Sequence, residues 1–299
     1  MAADWMSSLP ASRRSVPLKN LYIPGSHDSF SCTLNSHSRV ASSAPKIVQI
    51  LAKLLPIQPI IYIWSLTQRQ QPTQQLSLGI RYFDVRVAVP EDSQEIHTVH
   101  GLYGGLIREI LEKIAAFLAG HEKEVVILDF NHFYNFSDVT HKQLLGLLDT
   151  IFGRKLCPVA PSNQVTLDYL NANGYQVLVF YQDSTPLAAG HAVWPASGIS
   201  SPWANTDQPS KLLPFLENAL KQREQVQFFI TQGILTPQVS TVLKGILKGL
   251  EPLGTLGTET VVPWVQQKLS TFKQSFNIIM CDYIAKENFC NTVIALNYK

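Results

Sequence analysis

GIRYFDVRV, residues 79–87, alternates in chemistry along its length. Side chains on a strand point to opposite faces in turn, so Tyr82, Asp84 and Arg86 share one face while Phe83, Val85 and Val87 share the other. The apolar set is expected to face helices, and the Asp–Arg pair to project into the mouth of a barrel. Two readings of that pair stand side by side: a structural ion pair closing the barrel interior, or a guanidinium fixed by its carboxylate and aimed at an anion.

Working outward from this strand, short β-like runs alternate with longer helical patterns, the βα signature of a mainly parallel sheet. Strands are expected at 21–24 (LYIP), 80–87, 96–99 (IHTV), 124–131 (EVVILDFN), 175–181 (YQVLVFY), 226–232 (VQFFITQ) and 276–283 (FNIIMCDY), with a weak eighth near HAVWPA, 191–196. Helical patterns span 106–120, 141–153 and 209–223. Most strands are apolar in the middle and polar at the C-terminal end: His27, Asp84 with Arg86, His100, Asn131, Tyr181, Gln232 and Asp282. A parallel barrel gathers those ends on one rim, where catalytic groups collect from several strands. The expectation is one distorted (β/α)8 barrel over residues 1–299, with its core from about residue 16.

Of the 299 residues, 45% are hydrophobic and 15% charged, and the formal net charge is +2. No basic field of the kind nucleic-acid binders need is present, so DNA and RNA are set aside. Cys32, Cys157, Cys281 and Cys290 are scattered without CxxC pairing, and MAADWMSSLP lacks a basic segment leading into an apolar one. Both features point to a reducing, cytoplasmic setting. The longest apolar stretch, Ile47 to Trp64, holds Lys53 and two prolines, too interrupted for a membrane span.

IPGSHDSF, residues 23–30, leaves the first strand through a Pro-Gly turn and then presents His27 beside Asp28. His100, followed by Gly101, closes HTVHG, and the two histidines on one rim would form an acid–base couple, each role contributing about 10²–10⁴-fold. A metal site built from both histidines and Asp28 competes with that chemistry, although no tight ligand cluster favours it. Asp282, at the end of NIIMCDYI, is placed to hold an imidazole by one ring nitrogen or to cap the next helix.

IPGSHDSF, GIRYFDVR, VHG, EVVILDFNHF and IIMCDY, in this order, resemble the X domain of phosphatidylinositol-specific phospholipases C, and DWMSSLP, WPASGISSPWANT and VIALNY resemble its stand-alone animal members. The resemblance implies a distorted TIM barrel that cleaves phosphatidylinositol between glycerol and phosphate. It implies His27 as general base toward the inositol 2-hydroxyl, His100 as general acid toward the leaving glycerol oxygen, Asp282 orienting His27, and Asp28 supporting the acid. Arg86, steadied by Asp84, resembles the phosphate-binding arginine of the metal-independent bacterial enzymes. In the calcium-dependent relatives that position is acidic, and Asn131 stands where they carry another acidic ligand, so no metal and no other cofactor is expected here.

Ring contacts are less defined: Asn131, Tyr181 and Trp203 are the candidates, each with packing as the alternative. The lack of further basic groups near the motifs leans toward unphosphorylated phosphatidylinositol. A bilayer substrate implies peripheral membrane contact, for which Ile47–Trp64 is the segment considered, with packing on the barrel as its alternative. A monomer is expected. Two rivals stand: a weakly catalytic inositide-binding module, and a metal-dependent glycerophosphodiester phosphodiesterase on a similar barrel.

Overall fold

The computed structural model describes residues 2–44, 48, 57–185, 188–272 and 275–299. Its sheet contains β1 (Ile23–Ser26), β2 (Tyr82–Ala88), β3 (His97–His100), β4 (Leu102–Leu106), β5 (Val126–Tyr134), β6 (Val177–Tyr181), β7 (Trp194–Pro195), β8 (Ile199–Ser200), β9 (Phe228–Gly233) and β10 (Ile278–Cys281). Eight of these run parallel in the order β7–β6–β5–β2–β1–β10–β9–β8. β7 and β8 are two residues each, joined by the 3-10 turn Ala196–Gly198, and no ladder links them among the described residues. The result is a near-closed (β/α)8 barrel with its seam between β7 and β8.

Alternation along the strands sorts the core into two parts. Phe83, Val85 and Val87 of β2, Val126, Leu128 and Phe130 of β5, and Val177, Val179 and Tyr181 of β6 join the cluster shared with the surrounding helices. That cluster includes the apolar face of the helix Ile107–Gly120. The opposite parity fills the interior, with Ile23, Tyr82, Ile127, Leu178, Phe180, Phe228, Ile230, Ile278 and Met280 packed together and closed from below by Trp5, Met6 and Leu9. Continuing the inward parity one or two steps toward the C-terminal ends gives Asp84, Arg86, Asp129, Asn131, Gln182, Gln232 and Asp282. The interior is therefore apolar below and polar above.

Three sequence expectations change. IHTV does not supply a barrel strand: β3 runs antiparallel to β2, pairing Ala88 with His97 and Val87 with Thr98, and β4 folds back on β3. β2 overshoots the rim, and β3 descends along the overshoot, which brings His100 back down to the rim. β4 escapes periodicity because it carries Gly104 and Gly105, and a Cβ at Gly104 would collide with Thr98 Oγ1. The 191–196 region contributes β7, and β8 follows directly after it, so two barrel strands arise where one was expected. A 22-residue helix, Glu251–Phe272, also appears; Gly254, Gly257 and Pro263 dilute its apolar stripe.

The Ile47–Trp64 segment lies outside the described residues at 47 and 49–56. Its described end forms the helix Gln58–Ser65, whose Ile60 to Trp64 are half-buried. Among the described residues, no helix is long and apolar enough to cross a membrane.

Candidate active site

His27 follows β1 directly, and the turn chemistry places it. Gly25 allows β1 to approach β2 closely, since a Cβ there would stand 2.8 Å from Tyr82 Cδ1. Asp28 adopts φ +39, a left-handed conformation that costs an L-residue energy and is over-represented at functional sites. It is held there: Asp28 N–H donates to Asp84 Oδ2 at 2.8 Å, and Ser29 N–H donates to Asp84 O at 3.0 Å. Asp84 N–H in turn donates to Ser29 Oγ at 2.8 Å, so the 26–29 turn and β2 are laced together.

His27 Nδ1–H donates to Asp282 Oδ1 at 2.7 Å, because a carboxylate only accepts. In the neutral ring Nε2 then carries the lone pair; it lies 3.1 Å from Arg86 Nη2 and 3.3 Å from Asp28 Oδ2. His100 Nδ1–H donates to the Ser65 carbonyl at 2.7 Å, which leaves its Nε2 as the exchangeable position, 3.3 Å from the same Asp28 Oδ2. The two ring centroids are 6.4 Å apart. Arg86 Nε contacts the other Asp28 oxygen at 2.6 Å, and Nη2 lies 3.5 Å from Asp84 Oδ2. Asp28 thus touches both imidazoles and the guanidinium.

Asn131 sits at a register shift: Val85 pairs with Phe130 and Arg86 with His132, leaving Asn131 as the extra residue of a bulge. A bulge re-aims its side chain, and Asn131 Nδ2 donates to Asp84 Oδ1 at 2.6 Å. Below it Asp129 is fully buried and accepts from Tyr82 Oη and Gln182 Nε2, both at 2.7 Å.

Electrostatics follow from these contacts. Burial opposes charge on His27, but Asp28 and Asp282 outweigh it and raise its pKa to about 9. Burial would raise Asp84, yet Arg86 and His27 overcome it and hold the carboxyl at about 2. Burial likewise opposes charge on Arg86, and Asp28 and Asp84 reverse the effect, so its pKa is raised. No cation pairs with Asp129 among the described residues, and burial pushes it up to about 7.

A cavity of about 530 Å³ opens at this rim, lined by His27, Asp84, Arg86, His100, Asn131, Trp203 and Asp282 among others. Trp203 is 54% exposed, and its Nε1–H donates to Thr236 Oγ1 at 2.9 Å. Tyr181, the third ring-contact candidate, is not brought to the cavity. It faces outward into the helix-packed core, with its hydroxyl 2.6 Å from His141 Nδ1. The residue that takes its place is its neighbour Gln182, which lines the cavity together with Gln232 and Ser201. Strand parity identifies Gln182: with Leu178 and Phe180 inside, residue 182 is inside and 181 is not.

Two histidines, three carboxylates and one arginine converge at the C-terminal rim of a parallel barrel, an arrangement with the groups for proton transfer beside a fixed cation. No family model matches the chain. It is 42% identical over 304 residues to the PI-PLC X domain-containing protein 3 of Homo sapiens, covering 99% of this chain and 94% of that one. It is 34% identical to the PI-PLC X domain-containing protein 1 of Homo sapiens, covering 99% and 92%. The fold is shared with the phosphatidylinositol-specific phospholipase C of Listeria monocytogenes, at 20% identity and a TM-score of 0.70 over 99% and 98% of the two chains. The chain belongs to the PI-PLC X domain-containing protein family, and its barrel is that of the phosphatidylinositol phospholipases.

Proposed function

We propose that the chain is a phosphatidylinositol-specific phospholipase C that works by imidazole acid–base catalysis, with Arg86 in the position a calcium ion would otherwise fill. One observation carries the reading: Asp28 Oδ2 lies 3.3 Å from Nε2 of both His27 and His100, while Arg86 Nε holds its other oxygen. A base, an acid and a cation are thereby in register around one point.

The substrate supplies its own nucleophile, the inositol 2-hydroxyl beside the phosphate, so no serine or cysteine is needed. His27 Nε2 accepts that proton as the hydroxyl oxygen bonds to phosphorus. Asp282 on Nδ1 keeps the tautomer and steadies the imidazolium. Arg86 supports charge developing on the phosphoryl oxygens. His100 gives its Nε2 proton to the glycerol oxygen as the P–O bond breaks, yielding diacylglycerol and a cyclic inositol phosphate. Water opens the ring in a second step with the two roles exchanged.

His27, Asp28 and Asp84 offer ligand atoms within 4.8 Å of one another, the spacing a metal could use. The Arg86 guanidinium contacts all three, and a fixed cation there is a poor neighbour for a divalent ion. Arg86 is also the one arginine on the cavity wall, where no lysine joins it among the described residues, which supports unphosphorylated phosphatidylinositol as substrate. Asn131, Gln182 and Trp203 are the ring contacts in this reading.

The test is turnover of labelled phosphatidylinositol in the presence of a chelator, with both products identified. His27→Ala and His100→Ala should each lose about 10²–10⁴-fold. The rate should rise with pH as His27 loses its proton, with the limb displaced above the ordinary histidine range, as its raised pKa requires. Equal activity in wild type and both variants would favour a binding module. Loss of activity in chelator would favour the metal-dependent phosphodiesterase.

A further inference from the structure

Of the described imidazoles on the cavity wall, the proposed reaction uses His27 and His100 and leaves His132 without a task. A one-residue irregularity puts His132 there. Without a bulge, alternation along β5 would send residue 132 outward with Phe130. The bulge inserts Asn131, so Arg86 pairs with His132 and Val87 with Phe133. Parity is thereby reset: Phe133 packs on the outer core with Val87, and His132 shares the inward face with Arg86. Asn131 and His132 consequently both line the cavity.

Donor accounting fixes what His132 offers. Asp84, held ionised by Arg86, only accepts, so the Asn131 atom 2.6 Å from its Oδ1 is the amide Nδ2. The Asn131 carbonyl then faces His132 at 2.7 Å and accepts a hydrogen bond from Nδ1–H. In the neutral ring Nε2 carries the lone pair, and among the described residues nothing bonds to it. Desolvation, reinforced by the Arg86 charge, lowers the His132 pKa and so favours that neutral form. Tyr134 stacks on the ring, 6.0 Å between centroids and 16° between planes, and braces it from one side. Asp84, through Asn131, thus leaves an oriented neutral acceptor on the wall beside the guanidinium.

We propose that His132 is a specificity-determining residue whose Nε2 accepts a hydrogen bond from an inositol ring hydroxyl while Arg86 holds the phosphate. The inference rests on the reading of this cavity as a phosphatidylinositol site. A lone pair suits a hydroxyl, which can donate, and repels the oxygens of a ring phosphate, which are acceptors. This stretch of wall therefore sorts by hydrogen-bond polarity: the guanidinium takes the anion and the imidazole beside it takes the alcohol.

The test is kinetics on dispersed short-chain phosphatidylinositol and on analogues each lacking one ring hydroxyl other than the 2-hydroxyl. His132→Phe keeps the stacking surface and removes both hydrogen bonds. It should lower kcat/KM by about 3–10-fold, with most of the loss in KM and the melting temperature unchanged. His132→Gln, which can present an oxygen at similar reach, should recover part of that loss. Wild type should discriminate against one analogue by about the same factor, and His132→Phe should treat that analogue and the natural headgroup alike. Equal discrimination by wild type and His132→Phe across the whole series overturns the proposal. Calorimetric binding of inositol 1-phosphate separates this from the catalytic reading. Binding weakened by His132→Phe in a protein that turns over no phosphatidylinositol would sink the catalytic reading and leave the contact standing. Turnover with unchanged discrimination would do the reverse, and a chain that neither binds nor turns over overturns both.

Discussion

Arg81 and Arg86 leave almost the same stretch of chain, yet one ends at the floor of the barrel and the other at its mouth. Arg81 has no exposed surface, and all its nitrogens are engaged. Nε and Nη2 reach Glu124 Oε2 at 3.0 and 2.8 Å, Nη1 reaches the carbonyls of Leu76 and Ile80, and Nη2 also reaches Ala3 O. Glu124 further accepts the backbone N–H groups of Met6 and Ser7, so the pair ties the N-terminal segment beneath the barrel. Arg86 contacts two carboxylates and an imidazole nitrogen, its side chain is 21% exposed, and Nη1 makes no hydrogen bond among the described residues. A guanidinium with every donor matched is a fastener, whereas one with donors turned to a cavity has room for a ligand. Residue type and sequence neighbourhood do not separate the two, but donor accounting does.

The largest effect that could break this contrast is on catalysis. Arg86→Met should cut turnover of dispersed phosphatidylinositol by roughly 10³-fold or more, because both phosphoryl-charge stabilisation and the placement of Asp28 are lost. Arg86→Lys should recover only part of that rate, since an ammonium cannot span Asp28, Asp84 and His27 together. An Arg86→Met enzyme within a few-fold of wild type would place Arg86 with Arg81 as structural.

Arg81→Met should act on stability instead. It leaves the Glu124 carboxylate buried without its cation, at a cost of about 3–5 kcal/mol, and thermal denaturation should show a drop of roughly 10 °C. The specific activity of the folded fraction should stay near wild type, since Arg81 touches nothing in the cavity. A variant that melts normally but loses rate would dissolve the distinction between floor and mouth.

Much of this was legible in the sequence, and the exceptions have physical causes. The βα alternation and the parity of GIRYFDVRV hold because long strands buried on both sides leave strong periodic patterns. β7 and β8 are too short to show any period, and their ladders are fixed by what lies beside them. The route of His100 depends on pairing with an overshoot of β2, a long-range contact that no local pattern encodes. Tyr181 differs in kind: its polarity at a strand end suggests the cavity, but side-chain parity along β6 turns it outward. Its neighbour Gln182, two places beyond Phe180, had the correct face all along. Asp129 was hidden in plain sight within VILDFNHF: its parity with Ile127 and Asn131 put it inside, but only the structure supplies its partners.

Asp129 completes the comparison as the case with no paired cation among the described residues. Glu124 has Arg81 and Asp84 has Arg86, but Asp129 is met by neutral donors, Tyr82 and Gln182 with Asn131 beside them, and Asp84 lies opposite it in register. Burial is the leading cause of its rise to about 7, against an unfolded carboxyl that ionises near pH 4. The folded state thus keeps a proton that the unfolded chain releases, so stability present at low pH is lost as pH rises from about 4 through about 7. Asp129→Asn cannot ionise and escapes that loss. It does sacrifice an acceptor, because its amide nitrogen only donates and so cannot replace the oxygen that accepts from Tyr82 or from Gln182, but that cost is independent of pH. The melting temperature of the variant relative to wild type should therefore climb between pH 5 and pH 8, by on the order of 5 °C. A difference that stays flat, or falls, over that interval would mean Asp129 is ionised in the folded protein and that its two neutral donors suffice to hold a buried charge.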